Sequence, residues 1–295
     1  MDTFITSCVA ELRKRSLSDG GVLDALEGSY RPDATAWAIM VLKTAGLNDH
    51  LTNISQGRLV RDQHKDGRIS VTPDHPEAFW PTPLAILAWQ GSSPHKEAQA
   101  SALDFLTGIT GAHWPKEPNA ASIHDTSIIG WPWIEKTHSW VEPTSLAIQA
   151  LKVTGHERHG RVTEAVRMLL DRQLPKGGWN CGNTVVFGKE LYPMPHTTGM
   201  ALDALSGIVP LHGIERSLQY LKKRIQEVRS PLALSWALLG LGAWGEKPAE
   251  SEKWLMECWK LQERYGPYGT SWMSLLLMAH LSPSGLLSSM GKNGW

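Results

Sequence analysis

Six stretches of the chain are apolar almost all round, and six others between them carry one charged and one apolar face. The apolar stretches share a pattern: a Thr or Ser, then small and apolar residues, closing on Ala-Leu or a near equivalent. They read "DATAWAIMVL" from Asp33, "WPTPLAILAW" from Trp80, "EPTSLAIQAL" from Glu142, "HTTGMALDAL" from His196, "LALSWALLGL" from Leu232 and "YGTSWMSLLL" from Tyr268. A helix that is hydrophobic on every side is buried on every side. The amphipathic segments run over 2–16, 48–63, 94–110, 159–173, 212–227 and 249–263, several with an aromatic–Leu pair such as Phe105-Leu106, Tyr220-Leu221 or Trp254-Leu255. Strand signals are nearly absent, and "RISVT" after Gly67 is the best of them. This alternation predicts an all-α (α/α)6 toroid in which six buried helices form an inner ring and six half-exposed ones an outer ring, with residues 1–295 as a single domain. A helical solenoid is the rival, but its concave helices would present polar residues, and these are apolar.

Composition narrows the partners. Lys plus Arg and Asp plus Glu each total 29, and no basic run stands out, so a sequence-independent grip on nucleic acid is not expected. The three cysteines, Cys8, Cys181 and Cys258, form no C-x-x-C pattern, which favours a reducing compartment. The N-terminus places its basic residues after a short apolar run, the reverse of a secretory signal, and "SWMSLLLMAHL" is about half a membrane span, so a cytoplasmic address is expected. Fourteen tryptophans are the compositional anomaly.

One stretch, "DRQLPKGGWNCGN" at 171–183, ends an amphipathic segment with Gln173, Gly177, Gly178 and Trp179. With Leu169 it resembles the repeat of squalene and terpenoid cyclases, in which an outer helix ends in Gln and then Gly-x-Trp. A weaker copy holds Leu59, Gln63 and Gly67, with Ile69 in place of Trp; a third holds Phe105, Leu106, Gly111 and Trp114 without the glutamine. "RPDATAWAIMVL" and "SWVEPTSLAIQAL" look like inner helices of that family and of the related protein prenyltransferase β subunits. The resemblance implies a structural role for Gln173 and Trp179: the amide bonds backbone at a helix start, and the indole ties one outer helix to the next.

Laid over each other on the Thr or Ser that starts each apolar helix, the repeats place Asp33, Trp80, Glu142, His196, Leu232 and Tyr268 at equivalent points. In a toroid these should cluster around one mouth, where helix dipoles and free N–H groups favour anionic groups. Capping alone accounts for Asp33 equally well. Two long connections point the same way. The first, 111–143, carries Trp114, Trp131, Trp133 and Trp140 with His124, Asp125, His138 and Glu142; the second, 181–196, carries Glu190, Tyr192 and His196. The loop around His75 and Glu77 is expected to be a solvated turn. Candidate catalytic groups are Glu142, Asp125, His196 and Asp33. Candidate substrate contacts are Trp80, Trp131, Trp133, Trp140, Tyr192 and Tyr268.

The cyclase resemblance implies an Asp-x-Asp-Asp motif that protonates a double bond in a dry, aromatic-lined pocket, with aromatic faces stabilising the cation. "WVEPT" occupies its place: Glu142 matches the central acid, while Trp140 and Pro143 replace the flanking carboxylates. Prenyltransferases hold zinc through Asp-x-Cys, where this chain has Glu142 and Thr144, and no Asp-Asp-x-x-Asp cluster is present for magnesium. No metal or other cofactor is therefore expected. Three functions follow: a terpenoid-cyclase-like enzyme acting on an isoprenoid or related chain; a carbohydrate-active glycosidase or lyase, with Asp125 and Glu142 as paired carboxylates; or a non-catalytic toroid binding an apolar ligand or a partner protein. Homo- or heterodimerisation and peripheral contact with a membrane stay open.

Overall fold

The computed structural model describes residues 3–47, 49–116 and 124–290. The outer helices are α1 (Thr3–Lys14), α3 (His50–Arg61), α5 (Lys96–Gly108), α7 (Gly160–Asp171), α9 (Glu215–Arg224) and α11 (Ser251–Lys260), the last followed by the short α12 (Gln262–Tyr265). The inner helices are α2 (Pro32–Thr44), α4 (Pro81–Trp89), α6 (Val141–Val153), α8 (Pro195–Leu205), α10 (Pro231–Gly242) and α13 (Thr270–Leu281). Four inner helices have proline as their first residue, where its fixed φ suits the helix and its missing N–H costs nothing. Inner helices pack in the order α2, α4, α6, α8, α10, α13, and α13 returns to α2. The ring is closed, which a solenoid is not. Behind it α3 packs on α2, α5 on α4, α7 on α6, α9 on α8, α11 on α10 and α1 on α13.

"RISVT" does not form a strand. Residues 68–70 hold no regular structure and 71–72 bend, and Ile69 spends its N–H on the Thr82 hydroxyl at 2.9 Å instead of on a neighbouring strand. The strands among the described residues are the two-residue β1 (Val185–Val186) and β2 (Lys189–Glu190), paired antiparallel. The Thr82 contact is one of a set. Thr144 accepts the Trp131 N–H at 2.9 Å and Thr198 that of Trp179 at 3.0 Å, and both hydroxyls also face the carbonyl of the same residue. Thr35 accepts from Val22 at 3.0 Å. One hydroxyl at each of these four inner-helix starts thus pairs backbone that would otherwise be buried unsatisfied.

The Gln–Gly–Trp repeat is built differently from expectation in one respect. Gln173 Nε2 donates to Ser217 Oγ in α9 at 2.7 Å, and Gln63 Nε2 to the Ala98 carbonyl in α5 at 2.8 Å, so each glutamine reaches the next outer helix. The Trp179 indole instead donates to Leu169 O of α7, the helix it follows, at 2.6 Å. Trp131 makes the equivalent bond to Leu106 O at 2.8 Å, so the third copy's tryptophan is Trp131 rather than Trp114, which is half exposed. The glutamine missing there is replaced from the opposite side, because Arg161 of α7 donates to the carbonyls of Ile109 and Gly130.

Close approach fixes the spacing. Gly67 and Gly177 both hold φ of +93°, and a Cβ would lie 2.0 Å from Ser101 O of α5 or 2.5 Å from Arg216 O of α9. Between α8 and α10, a Cβ on Gly199 would lie 2.1 Å from the Trp236 carbonyl oxygen. At the end opposite the mouth, Lys43 donates to Gln90 O, Lys152 to Ala204 O and Ser206 O, and Lys247 to Ala279 O. These ammonium groups sit at helix C-terminal carbonyls, where the dipole favours cations.

Candidate functional site

Glu142 and His196 are each the second residue of adjacent inner helices, α6 and α8, and the register that buries those helices aims both at the mouth. His196 Nε2 lies 3.3 Å from Glu142 Oε1, with side chains 20% and 16% exposed, so solvent screens the pair only in part. Cys181 completes the corner: its carbonyl accepts the Val141 N–H at 2.8 Å. Burial, reinforced by the Glu142 carboxylate, pushes its thiol up from the ordinary value.

Asp33, buried on α2, takes two hydrogen bonds from Arg31, Nε at 2.8 Å and Nη2 at 3.2 Å. Burial works against the Arg31 charge, but Asp33, with Asp24 nearby, outweighs it and raises the guanidinium above its usual range. Arg31 lies 6.0 Å over the Trp80 ring, and Trp80 meets Trp133 edge to face at 5.5 Å. Asp24, Arg31, Asp33, Gly269, Ser271 and Trp272 line a recess of about 260 Å³. One helical turn below Asp33 and Leu232, Trp37 and Trp236 touch at 6.0 Å between ring centres, 74° apart in plane. Indoles from two non-adjacent inner helices therefore meet across the ring.

The remaining candidates lie elsewhere. Tyr268 precedes the N-cap of α13, so its side chain turns away and its hydroxyl donates to Cys258 O of α11 at 2.8 Å. Trp131 is buried behind the mouth, 4.3 Å beneath the Arg161 guanidinium. Tyr192 is 88% exposed. Asp125 accepts from the N–H and hydroxyl of Ser127 in its own turn, which lowers its carboxyl, and its backbone is tied to Asp171 and Arg172 of the α7 end rather than to Glu142. Trp140 stacks on His138 at 4.1 Å. His75 and Glu77 lie 3.4 Å apart in a largely exposed turn.

The described parts of the connection before α6, which leave out residues 117–123, carry three histidines near Arg172. Burial, with Arg172 and His138 adding to it, pushes His124 down to about 4. Burial, then Arg172, lowers His138, and burial lowers His113 likewise. Arg172 holds the wall by donating to Gly182 O and Asp125 O. Among the described residues no group of three or more His, Cys, Asp or Glu could hold a metal ion, and no helix is long and apolar enough to cross a membrane.

The closed double ring defines the fold: an all-α toroid of six inner and six outer helices. The chain is similar in structure to the type II terpene cyclase MstE from Scytonema in its apo form (14% identity, TM-score 0.60, covering 94% of this chain and 97% of that one). A variant of MstE in complex with geranylgeranyl dihydroxybenzoate gives 13% identity and a TM-score of 0.59 over 97% and 96% of the two chains. A novel alpha-amylase from Clostridium perfringens is as similar, with 10% identity and a TM-score of 0.61 over 95% and 97%. At such identities the likeness concerns the fold. No protein-family model matches the chain, and no curated protein matches its sequence.

Proposed function

We propose that this toroid takes an isoprenoid or similar apolar chain at its mouth and that the Glu142–His196 pair transfers a proton to or from it. The observation that carries the proposal is the pair itself, held on two inner-helix N-termini in a corner that solvent reaches only in part. A carboxyl group and an imidazole 3.3 Å apart can pass a proton between them and supply an acid and a base at one point. Trp80 and Trp133, both only partly buried, offer aromatic faces to a hydrocarbon or to a cation formed on it, while the buried Trp37 and Trp236 floor the ring below. The bound substrate of the MstE variant agrees in class. Without flanking carboxylates Glu142 lacks the groups that strengthen the family's acid, so the substrate we favour carries an activated double bond. A carbohydrate ligand is the second reading, favoured by the exposed Trp272 beside Asp24 and Asp33 in one recess.

Mass spectrometry of organic extracts from wild type and Glu142→Gln tests this. A precursor accumulating on the variant and its isomer on the wild type would support proton transfer. The same lipid on both would make the protein a carrier, and no lipid on either would turn the search to sugars.

A further inference from the structure

The base of the barrel, where the inner helices end, holds a carboxyl group that the mouth does not use. Asp203, near the end of α8, is 3% exposed. Its partners come from two directions. Gln149 Nε2 of α6 donates to Oδ2 at 2.8 Å, and the Leu286 N–H lies 3.2 Å from both oxygens. Leu286 belongs to a single helical turn, 286–289, that follows α13 and folds back under the ring. Leu286 and Met290 are buried, so this turn plugs the base. Its approach is backbone on carboxyl: Gly285 holds φ of +97°, and a Cβ there would lie 2.4 Å from Asp203 Oδ1. Pro283 O lies equally close to where a Cβ on Gly242, the last residue of α10, would be, at 2.4 Å.

The charges around Asp203 are few. From α6 it feels Lys152, whose ammonium is tied to Ala204 O and Ser206 O. Lys247, also at the base, is bonded to Ala279 O and feels Glu252 instead. No arginine forks the carboxyl. An ionised acid held by three amide contacts and one indirect ammonium is poorly compensated for its lost hydration. Gln149 suits the neutral form as well: its Oε1 has no partner among the described residues, and the amide turned over would accept the proton of a neutral Asp203.

We propose that Asp203 makes the 283–290 turn a proton-controlled plug: it closes over the neutral carboxyl and lifts more readily once the carboxyl ionises and calls for water. Burial pushes the carboxyl up to about 7, with Lys152 and the Leu286 N–H opposing. In the lifted state water restores an ordinary carboxylate. The closed form then holds the extra proton between those two values, so each unit rise in pH multiplies the opening constant by about ten, levelling off above neutrality. Acid tightens the plug and base loosens it.

Hydrogen exchange on the intact protein, followed by mass spectrometry and corrected for chemical exchange rates, tests this at pH 5 and pH 8. For wild type the 282–290 peptide should open about 100-fold more at pH 8, while the α3 peptide stays constant. Asp203→Asn should make 282–290 indifferent to pH. Unchanged opening of that peptide in wild type, an equal rise in every peptide, or the same rise in Asp203→Asn would overturn the proposal. Should Asp203→Asn not fold, Lys152→Met decides: removing the ammonium should move the rise to higher pH, and an unmoved rise would overturn it.

Discussion

Arg15 Nη1 donates to the Tyr268 carbonyl at 2.8 Å, joining residues 253 positions apart. The same guanidinium reaches Asp24 O and Thr270 Oγ1 and pairs with Glu11 at 3.1 Å, all from a side chain 1% exposed. This is the seam where the last inner helix meets the first repeat. Arg15→Met should cost about 3 kcal/mol, because it strands buried acceptors and half an ion pair. Urea denaturation measures it, and Arg15→Lys, which lacks the fork, should recover only part.

Gly199→Ala should cost about 3 kcal/mol or more by forcing α8 off α10, since the new methyl would lie 2.1 Å from a backbone oxygen that cannot yield without moving its helix. Thermal unfolding of the variant would show it. An unchanged midpoint would mean that the two helices separate freely.

Thr198→Val keeps the shape and removes the hydroxyl that accepts the Trp179 N–H. The stranded donor should cost about 1–3 kcal/mol. Thr144→Val should do the same at Trp131, and a matching loss at both would establish the hydroxyl as a repeated device.

Stability against pH should show two opposing slopes. His124, pushed down to about 4, leaves the unfolded chain binding more protons below its ordinary value, so its contribution is lost as pH falls from 6.5 to about 4. Asp203, pushed up to about 7, binds more protons when folded, so its contribution falls as pH rises from 3.8 to about 7. Each is worth on the order of 3–4 kcal/mol. Denaturation midpoints between pH 4 and 7 should therefore fall more steeply with acid in Asp203→Asn than in wild type, and less steeply in His124→Asn.

Periodicity made the twelve main helices legible to within about two residues at most ends, because an all-round apolar run has few other places to go in a ring of this kind. The mouth was legible as far as Asp33, Trp80, Glu142 and His196, which sit on or next to helix starts of known register. Tyr268 was misplaced because Gly269 intervenes before α13, and Trp131 because the long connection hides which of its tryptophans follows the Gly-x-Trp register. Asp203 is marked in the sequence by its register: it lies seven residues after His196, as Gln149 lies seven after Glu142, and the other four repeats hold Met40, Leu87, Leu239 and Leu275 there. Polar residues at one depth of two neighbouring apolar helices mark a buried pair.

Gly67 and Gly177 set the gap between successive outer helices by what they lack. At both positions the left-handed backbone and the abutting carbonyl of the next helix exclude any side chain, so the circumference is gauged by the thickness of bare main chain. The specification is sparse, with a glycine at such a junction and a hydroxyl at the helix start. Away from these junctions and from polar ties such as Gln63, Arg161 and Gln173, an outer helix need only stay apolar on one face, so few positions set the ring's dimensions.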